Sequence, residues 1–291
     1  MKSSPAVLDT HQSAPTQFVE ANGIRFAYRR IGPSLGVPLV LLQHFRGNMD
    51  NWDPLVVDGL AYERPVILFD NRGISRSTGE TPDNVAAMAE DAAAFIDALD
   101  EGTVDLLGFS IGGMVAQEIL LRRPELVRNA ILVGTGPRGS ADMFPPAVET
   151  AATRFPSDAE SLLFLFFTPT ATSQTAGKHY VERMMLRTER EPATSEQVIH
   201  AHLAAIREWA NAPADSSALR RITQPVLVVN GSHDIMIPTA NSYALSQQLP
   251  NAELIVYPDA GHGSLFQYAE RFTGDVARFL AGDAAEARQR K

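Results

Sequence analysis

The stretch Gly108-Phe109-Ser110-Ile111-Gly112 restricts the fold of this chain more than any other part of its sequence. It lies where an apolar run at 104–107 gives way to a helical pattern that begins at Ile111. A serine on a sharp turn from a strand into a helix is typical of a nucleophile elbow. Small residues on both sides let strand and helix pass close together, while the serine adopts a strained backbone conformation. We therefore expect Ser110 at the carboxyl end of a strand; the alternative is an ordinary glycine-rich turn.

Strand and helix patterns alternate along most of the chain. The short apolar runs are mostly continuous, as expected of strands covered on both faces. The dipeptide Asn22-Gly23 separates two alternating runs and favours a tight hairpin. This order predicts an α/β fold with a mainly parallel, doubly covered sheet and an antiparallel hairpin at its start. The predicted strands are 18–21, 25–31, 38–43, 65–69, 104–107, 130–133, 225–230 and 253–257, and the predicted helices of the core include 83–99, 239–249 and 265–280.

The alternation breaks between residues 140 and 217, where no strand pattern is present. Apolar residues recur at helical spacing over 196–209, and this stripe includes His202 and Trp209. A helical insertion of this kind predicts a cap over the carboxyl ends of the strands, where open α/β sheets bind ligands. The predicted organisation is a core of residues 16–139 and 218–282, a helical cap of residues 140–217, and flexible ends at 1–15 and 283–291.

Composition restricts the partners and the kinds of site. The net charge of −9 argues against nucleic acid and anionic membrane surfaces, and it favours a small-molecule ligand. The absence of cysteine excludes thiol nucleophiles, disulfides and cysteine metal sites. No apolar run is long enough to span a bilayer and no signal-peptide pattern begins the chain, so we expect a cytoplasmic protein. Whether it forms a homo-oligomer is left open.

The sequence predicts neither a cofactor nor a metal. It contains no phosphate loop and no dinucleotide fingerprint in a suitable context. His200 and His202 are two positions apart on a predicted helix, so their side chains point to different faces and make a poor metal pair.

A serine nucleophile needs a base and a third group that orients the base. His262 lies in a glycine-flanked loop after the strand at 253–257 and is the only histidine beyond Asp234. Asp234 follows the strand at 225–230, whereas the loop after the strand at 130–133 contains no carboxylate. We therefore expect His262 as the base and Asp234 as the orienting acid. The alternatives are a turn histidine that bonds only to backbone and an aspartate that caps a helix.

Acyl transfer also requires hydrogen-bond donors for the oxyanion of its tetrahedral intermediate. The backbone N–H of Ile111, directly after the serine, is the first candidate. The second is expected from the loop after the strand at 38–43, which reads Gln43-His44-Phe45-Arg46-Gly47. We assign this role to the N–H of Phe45.

These residues together resemble the α/β-hydrolase superfamily over roughly residues 18–282. The resemblance rests on Ser110 in its elbow, on Asp234 and His262 following it in the family's chain order, and on Phe45. It extends to residues 70–77, Asp-Asn-Arg-Gly-Ile-Ser-Arg-Ser, which are similar to the family loop Asp-x-Arg-Gly-x-Gly-x-Ser. Within the superfamily, the chain is most similar to the capped group of enol-lactonases, carboxylesterases, carbon–carbon hydrolases and cofactor-free haloperoxidases.

Two positions depart from the family pattern. Most members have His-Gly before the oxyanion residue, where this chain has Gln43-His44, and Ser75 stands where glycine is usual. The side chain of His44 adds bulk beside the oxyanion loop and is a candidate to line the substrate pocket, against a packing or hydrogen-bonding role. The other candidate pocket residues are Ile235, Met143, Phe144 and Trp209, whereas Phe164, Phe166, Phe167, Met184 and Met185 are expected mostly to pack the cap against the sheet.

The resemblance and the residues together favour a cofactor-independent serine hydrolase of the carboxylic ester hydrolase class. Its expected substrate is a small, mainly apolar ester or lactone, cleaved by Ser110, His262 and Asp234 through an acyl-enzyme. A cofactor-free haloperoxidase or perhydrolase and a carbon–carbon bond hydrolase are alternatives on the same fold. A ligand receptor that uses the pocket without turnover is the alternative from a different functional class.

Overall fold

One mainly parallel sheet organises the molecule, of which the computed structural model describes residues 9–140, 142–143, 151 and 158–289. Its strands are β1 (Gln17–Ala21), β2 (Ile24–Ile31), β3 (Leu39–Leu42), β4 (Val66–Phe69), β5 (Val104–Phe109), β6 (Val127–Val133), β7 (Val226–Gly231) and β8 (Ala252–Tyr257). Their spatial order is β1-β2-β4-β3-β5-β6-β7-β8. The pairs β1–β2 and β2–β4 are antiparallel, and all other neighbouring strands are parallel. The predicted mainly parallel sheet with an antiparallel hairpin at its start is confirmed.

Helices pack on both faces of this sheet, which explains why β3 and β4 are apolar at every position. The helices are α1 (Pro54–Leu60), α2 (Val85–Ala98), α3 (Ile111–Arg122), α4 (Asp158–Phe166), α5 (Ala171–Met184), α6 (Glu196–Asn211), α7 (Ser216–Leu219), α8 (Thr239–Gln248), α9 (Ser264–Gln267) and α10 (Ala269–Gln289). In β3, Val40 and Leu42 join the core formed with α2 and α3, whereas Leu39 and Leu41 join the core formed with α1 and α10. All four are buried because successive side chains of a strand point to opposite faces. None of the described helices combines the length and apolar character needed to cross a membrane.

The carboxyl-terminal helix differs from its prediction in two ways. The single helix expected over 265–280 is interrupted at Tyr268, whose φ of −113° and ψ of 40° are not helical. The Tyr268 hydroxyl donates to the Pro258 carbonyl at 2.9 Å and its ring stacks on Tyr257, so tertiary contacts hold the interruption. The second part, α10, runs to Gln289, beyond the predicted end of the helix at residue 280.

Residues 9–15 also differ from the prediction of a flexible end, because they pack against the rest of the molecule. His11 is only 1% exposed. The guanidinium group of Arg187, far along the chain, donates to the carbonyls of His11, Gln12 and Ala14. A polar segment can therefore be fixed in place by one distant side chain, which local composition does not reveal.

The described residues between β6 and β7 contain α4 to α7 and no strand. Buried ion pairs anchor the segment between α5 and α6 to the sheet. The Arg29 guanidinium lies 2.6 Å from Asp50 Oδ1 and 2.7 Å from Glu191 Oε1, and these three side chains are at most 1% exposed. The Glu191 N–H also donates to Asp50 Oδ2 at 2.6 Å. We term Arg29, Asp50 and Glu191 the buried ion cluster; it joins β2, the loop after β3 and the helical insertion.

Candidate active site

Ser110 lies on a strained turn between β5 and α3. Its φ of 59° and ψ of −120° are rare for a residue that carries a side chain. Its N–H donates to the Val133 carbonyl at 2.8 Å, and its own carbonyl accepts the N–H of Gly113 at 2.9 Å. A Cβ added to Gly112 would overlap the Leu42 carbonyl oxygen, so the crossing of α3 over β3 requires glycine. Backbone contacts within the core therefore hold the elbow.

His262 and Asp234 form a buried hydrogen-bonded pair after β8 and β7. His262 Nδ1 lies 2.7 Å from Asp234 Oδ2, and the two side chains are 1% and 0% exposed. Asp234 Oδ1 accepts the backbone N–H groups of Met236 at 2.8 Å and Ile237 at 3.0 Å. Because the carboxylate is fixed through both oxygens, it favours the imidazole tautomer with a proton on Nδ1 and a lone pair on Nε2.

The side chains of His262 and Ser110 are buried beside one cavity. The His262 ring lies 4.9 Å from the Phe109 ring, centroid to centroid, and a Cβ on Gly134 would stand 3.1 Å from its Nδ1. Ser110 Oγ and His262 Nε2 are both buried, and neither has a hydrogen-bond partner among the described residues. Both residues line the same cavity. The structure thus pairs His262 with Asp234 and places Ser110 on the wall of the cavity that His262 also lines.

The loop of residues 43–47, which follows β3 and is termed the 43–47 loop, lies beside the elbow. A Cβ on Gly112 would stand 2.8 Å from the Gln43 carbonyl oxygen. The Gln43 side chain donates to the Asn48 carbonyl at 2.6 Å and accepts the N–H of His44 at 2.9 Å. The N–H of Gly47 donates to the His44 carbonyl at 3.1 Å, which closes a tight turn. Side-chain and turn hydrogen bonds thus set the shape of this loop.

Phe45 and Ile111 carry the two backbone N–H groups predicted to bind an oxyanion. Phe45 lies at the second position of the tight turn and lines the cavity together with Ser110. Ile111 is the first residue of α3. Backbone N–H groups at a helix N-terminus lack acceptors within the helix, and the helix dipole favours negative charge there.

His44 both lines the cavity and has a hydrogen-bonding role, the two functions between which the sequence did not decide. Its Nδ1 lies 3.0 Å from the Phe45 carbonyl, and its ring makes edge contacts with Phe109 and Phe166 at 5.3 and 5.4 Å between centroids. Burial lowers the pKa of His44 to about 3. The side chain is therefore neutral at pH 7, with Nδ1 donating to the carbonyl.

The cavity above Ser110 has a volume of about 770 Å³ and a wall of mixed apolar and polar character. Met143, a predicted pocket residue, lines it. The described wall carries three arginines and three carboxylates: Arg46, Arg190, Arg207, Asp142, Asp158 and Glu191. Arg46 lies 3.1 Å from Asp158, so it has a partner within the protein. The apolar side chains of the wall include Leu162, Leu165, Phe166, Ile199, Leu203, Ile206 and Met236.

Two of the predicted pocket residues do not line this cavity. Ile235 is 39% exposed, because the hydrogen bonds from Asp234 to the next two N–H groups form a turn that directs Ile235 outwards and Met236 inwards. Trp209 is buried, but its indole N–H donates to the Gly136 carbonyl at 3.3 Å, which packs α6 onto the loop after β6. Phe144 lies outside the described residues.

A model of the alpha/beta hydrolase fold matches residues 37–268. The chain belongs to the alpha/beta hydrolase family. A solved alpha/beta hydrolase fold protein from Chitinophaga pinensis is 43% identical to this hydrolase, with a TM-score of 0.89 over 94% of this chain and 99% of the other.

Two curated relatives of the hydrolase are named for different reactions. A non-heme chloroperoxidase of Streptomyces lividans is 29% identical over 280 residues, which cover 89% of this chain and 97% of the relative. A 2-hydroxymuconate semialdehyde hydrolase of Pseudomonas sp. strain CF600 is 28% identical over 258 residues, which cover 86% and 89%.

The hydrolase also places residues at its site that were not predicted there. Met236 replaces its neighbour Ile235 in the cavity wall, and His202 of α6 accepts a hydrogen bond from the 43–47 loop. The signal for His202 was its place on the apolar stripe of a helix, which predicts burial. Among the described residues, no group of three or more acidic or histidine side chains is arranged to hold a metal ion.

Proposed function

We propose that this alpha/beta hydrolase is a serine hydrolase that cleaves a small, mainly apolar ester or lactone through an acyl-enzyme on Ser110. The observation that carries the proposal is the His262–Asp234 hydrogen bond of 2.7 Å, with Ser110 and His262 lining one cavity. A base oriented by a carboxylate beside a strained serine is the arrangement that activates a serine hydroxyl.

In the first half of the reaction, Ser110 Oγ attacks the carbonyl carbon and its proton passes to His262 Nε2. The Asp234 carboxylate stabilises the imidazolium that forms and keeps its orientation. The backbone N–H groups of Phe45 and Ile111 bind the oxyanion of the tetrahedral intermediate. When the intermediate collapses, the bond to the leaving alkoxide breaks and His262 returns the proton to it, so that the alcohol departs. A lactone keeps its alcohol on the acyl chain.

In the second half, His262 Nε2 removes a proton from water, and the resulting hydroxide attacks the acyl carbon. Collapse of the second intermediate breaks the bond to Ser110 Oγ, which takes the proton back from His262. The products are a carboxylic acid and the regenerated enzyme. The hydrogen bond that Ser110 and His262 lack is expected to form with substrate bound, because such bonds commonly tighten in the Michaelis complex.

The size and the charge balance of the cavity support a small neutral substrate. Apolar side chains of α4 and α6 form part of its wall, and its volume of about 770 Å³ lies in the range of small-molecule sites. Its three arginines are matched by three carboxylates, and Arg46 pairs directly with Asp158, so no net positive charge attracts a substrate carboxylate. We therefore expect neutral esters or lactones to be turned over faster than their carboxylated analogues.

Replacement of the nucleophile is the direct test of the proposed function. Ser110→Ala should lower kcat/KM for p-nitrophenyl butyrate by a factor of about 10⁴ or more. A fluorophosphonate probe should label the wild-type protein on the peptide containing Ser110, as measured by mass spectrometry, and should leave the variant unlabelled.

Ser264→Ala is the matched control. Ser264 is also buried, its hydroxyl also has no partner among the described residues, and it does not line the cavity. We expect this variant to keep near wild-type turnover and labelling. Near wild-type turnover by Ser110→Ala, or the absence of an adduct on Ser110, would rule out the mechanism.

The relatives named as a chloroperoxidase and a semialdehyde hydrolase define the competing chemistry. Bromination that requires acetate and hydrogen peroxide would indicate a perhydrolase that passes through a peracid. Cleavage of a vinylogous diketone faster than any ester would indicate a carbon–carbon hydrolase. A substrate panel containing esters, lactones, peroxide with acetate, and diketones, with Ser110→Ala as the blank, separates these reactions.

A further inference from the structure

Two buried histidines bind opposite ends of one peptide group in the 43–47 loop. His44 Nδ1 lies 3.0 Å from the Phe45 carbonyl oxygen. The Arg46 N–H donates to His202 Nδ1 at 3.0 Å. The carbonyl of Phe45 and the N–H of Arg46 belong to the same peptide unit. That unit is therefore held at both of its polar atoms, from the sheet side by His44 and from α6 by His202.

This peptide group is the central unit of the tight turn closed by the Gly47 N–H and the His44 carbonyl. Arg46, the third residue of the turn, has a φ of 53°. A positive φ at the third position is the type II arrangement, which favours glycine there. A residue with a side chain is more stable in the type I turn, which differs by a flip of the central peptide group. Contacts from outside the turn are therefore needed to stabilise Arg46 in this conformation.

Both histidines are in the neutral state that these two hydrogen bonds to the Phe45–Arg46 peptide group require. Burial lowers the pKa of His44 to about 3 and that of His202 to about 4, so both are neutral at pH 7. The carbonyl of Phe45 requires a proton on His44 Nδ1. The N–H of Arg46 requires a lone pair on His202 Nδ1, which places the proton of His202 on Nε2. The pair must therefore consist of two opposite tautomers.

We propose that His44 and His202 are positioning residues that lock the Phe45–Arg46 peptide group, and with it the turn that presents the Phe45 N–H to the oxyanion. This inference rests on the proposed function. A flipped peptide group would reverse a dipole next to the oxyanion site and would release α6 from the loop. His202 belongs to the helical insertion, so the insertion contributes to the oxyanion site as well as covering the cavity.

Substitutions at His202 test the acceptor directly. His202→Leu removes it, whereas His202→Asn places Oδ1 close to the position of Nδ1 and can accept the Arg46 N–H. For p-nitrophenyl butyrate, His202→Leu should lower kcat about tenfold or more with KM changed less than about twofold, because the loss acts in the transition state. His202→Asn should stay within about threefold of the wild-type kcat. A His202→Leu variant with wild-type kcat would overturn the proposal.

His200→Leu and Arg46→Gly provide the controls. His200 is exposed on the same helix and does not line the cavity, so its replacement should leave activity unchanged. Glycine at position 46 adopts a positive φ without strain, so the turn should then depend less on the histidines. In the Arg46→Gly background, the additional effect of His202→Leu on kcat should fall below about threefold. An undiminished effect in that background would exclude the peptide flip as the cause.

The tautomers can be measured without any reaction. Long-range ¹H–¹⁵N spectra of the wild-type protein at pH 7, assigned with His44→Asn and His202→Asn, should show His44 protonated on Nδ1 and His202 protonated on Nε2. A proton on Nδ1 of His202 would overturn the proposal even if His202→Leu fails to fold. If wild-type activity does not depend on Ser110, the proposed function fails alone, and the spectra still decide whether the two histidines hold the peptide group.

Discussion

The elbow of Ser110 and the 43–47 loop are expected to serve one transition state, yet they are held in different ways. Backbone fixes the elbow: Ser110 bonds through its N–H and carbonyl, and Gly112 allows α3 to cross β3. Side chains fix the loop: Gln43 bonds to the Asn48 carbonyl, His44 bonds to the Phe45 carbonyl, and His202 accepts the Arg46 N–H from α6. The conformation of the elbow therefore depends on the core alone, whereas the conformation of the loop also depends on the position of the helical insertion.

The largest loss of stability should follow from breaking the buried ion cluster that holds the helical insertion on the sheet. Glu191→Gln removes one anion from the buried ion cluster and leaves Arg29 with Asp50 as its remaining close carboxylate. Asp50 alone then faces two buried arginines, Arg29 at 2.6 Å and Arg187 at 3.8 Å. One buried positive charge is left uncompensated, which costs about 3–5 kcal/mol. Urea unfolding should show a loss of that size in the free energy of unfolding.

Glu125→Gln is the control for this experiment, since it removes an exposed carboxylate that pairs with Arg123. Surface ion pairs contribute little to stability, and no measurable change is expected. Equal free energies of unfolding for the two variants would show that the cluster does not anchor the insertion.

The next largest effect should come from the elbow. Gly112→Ala forces a methyl group into the Leu42 carbonyl, and neither backbone segment can move without disturbing the sheet. We expect the free energy of unfolding to fall by about 3 kcal/mol or more. Gly274→Ala adds the same methyl group inside α10, where nothing lies within 4 Å of it. The free energy of unfolding of that variant should rise by about 0.5–1 kcal/mol because alanine has the higher helix propensity. A similar loss of stability in both variants would contradict the close crossing of α3 over β3.

A smaller effect should distinguish the 43–47 loop from the elbow in the pH dependence of the free energy of unfolding. The unfolded chain protonates His202 near its ordinary pKa of 6.5, whereas burial lowers the pKa in the folded protein to about 4. Acidification between these values therefore favours unfolding, and this residue should contribute roughly 1–2 kcal/mol of lost stability from pH 7 to pH 5. His202→Asn should lose less stability than the wild type over this interval in thermal unfolding. The matched control His179→Asn, at an exposed position on α5, should follow the wild type, and identical losses in all three proteins would refute the assignment.

The same contrast explains what the sequence could predict. The elbow, the sheet and the candidate positions of Asp234 and His262 depend on local patterns, and the sheet prediction is confirmed. The prediction of Ile235 as a pocket residue is wrong by one position, because the hydrogen bonds that Asp234 accepts set the direction of the turn that follows. Trp209 was placed in the pocket because a helical stripe predicts burial without naming the partner. The role of His202 required knowing that α6 lies on the 43–47 loop, and no local pattern contains that contact.

The binding of Arg187 to the carbonyls of residues 11, 12 and 14 affects how this protein could be recombined with its relatives. A chimera that exchanges residues 140–217 alone would remove Arg187 and leave three carbonyls of the amino-terminal segment, two of them in buried hydrogen bonds, without their donor. The smallest transferable unit is therefore discontinuous, because it needs the helical insertion together with the segment from residue 9 to the start of β1. Fragments joined only at the two ends of the insertion should express poorly for this reason.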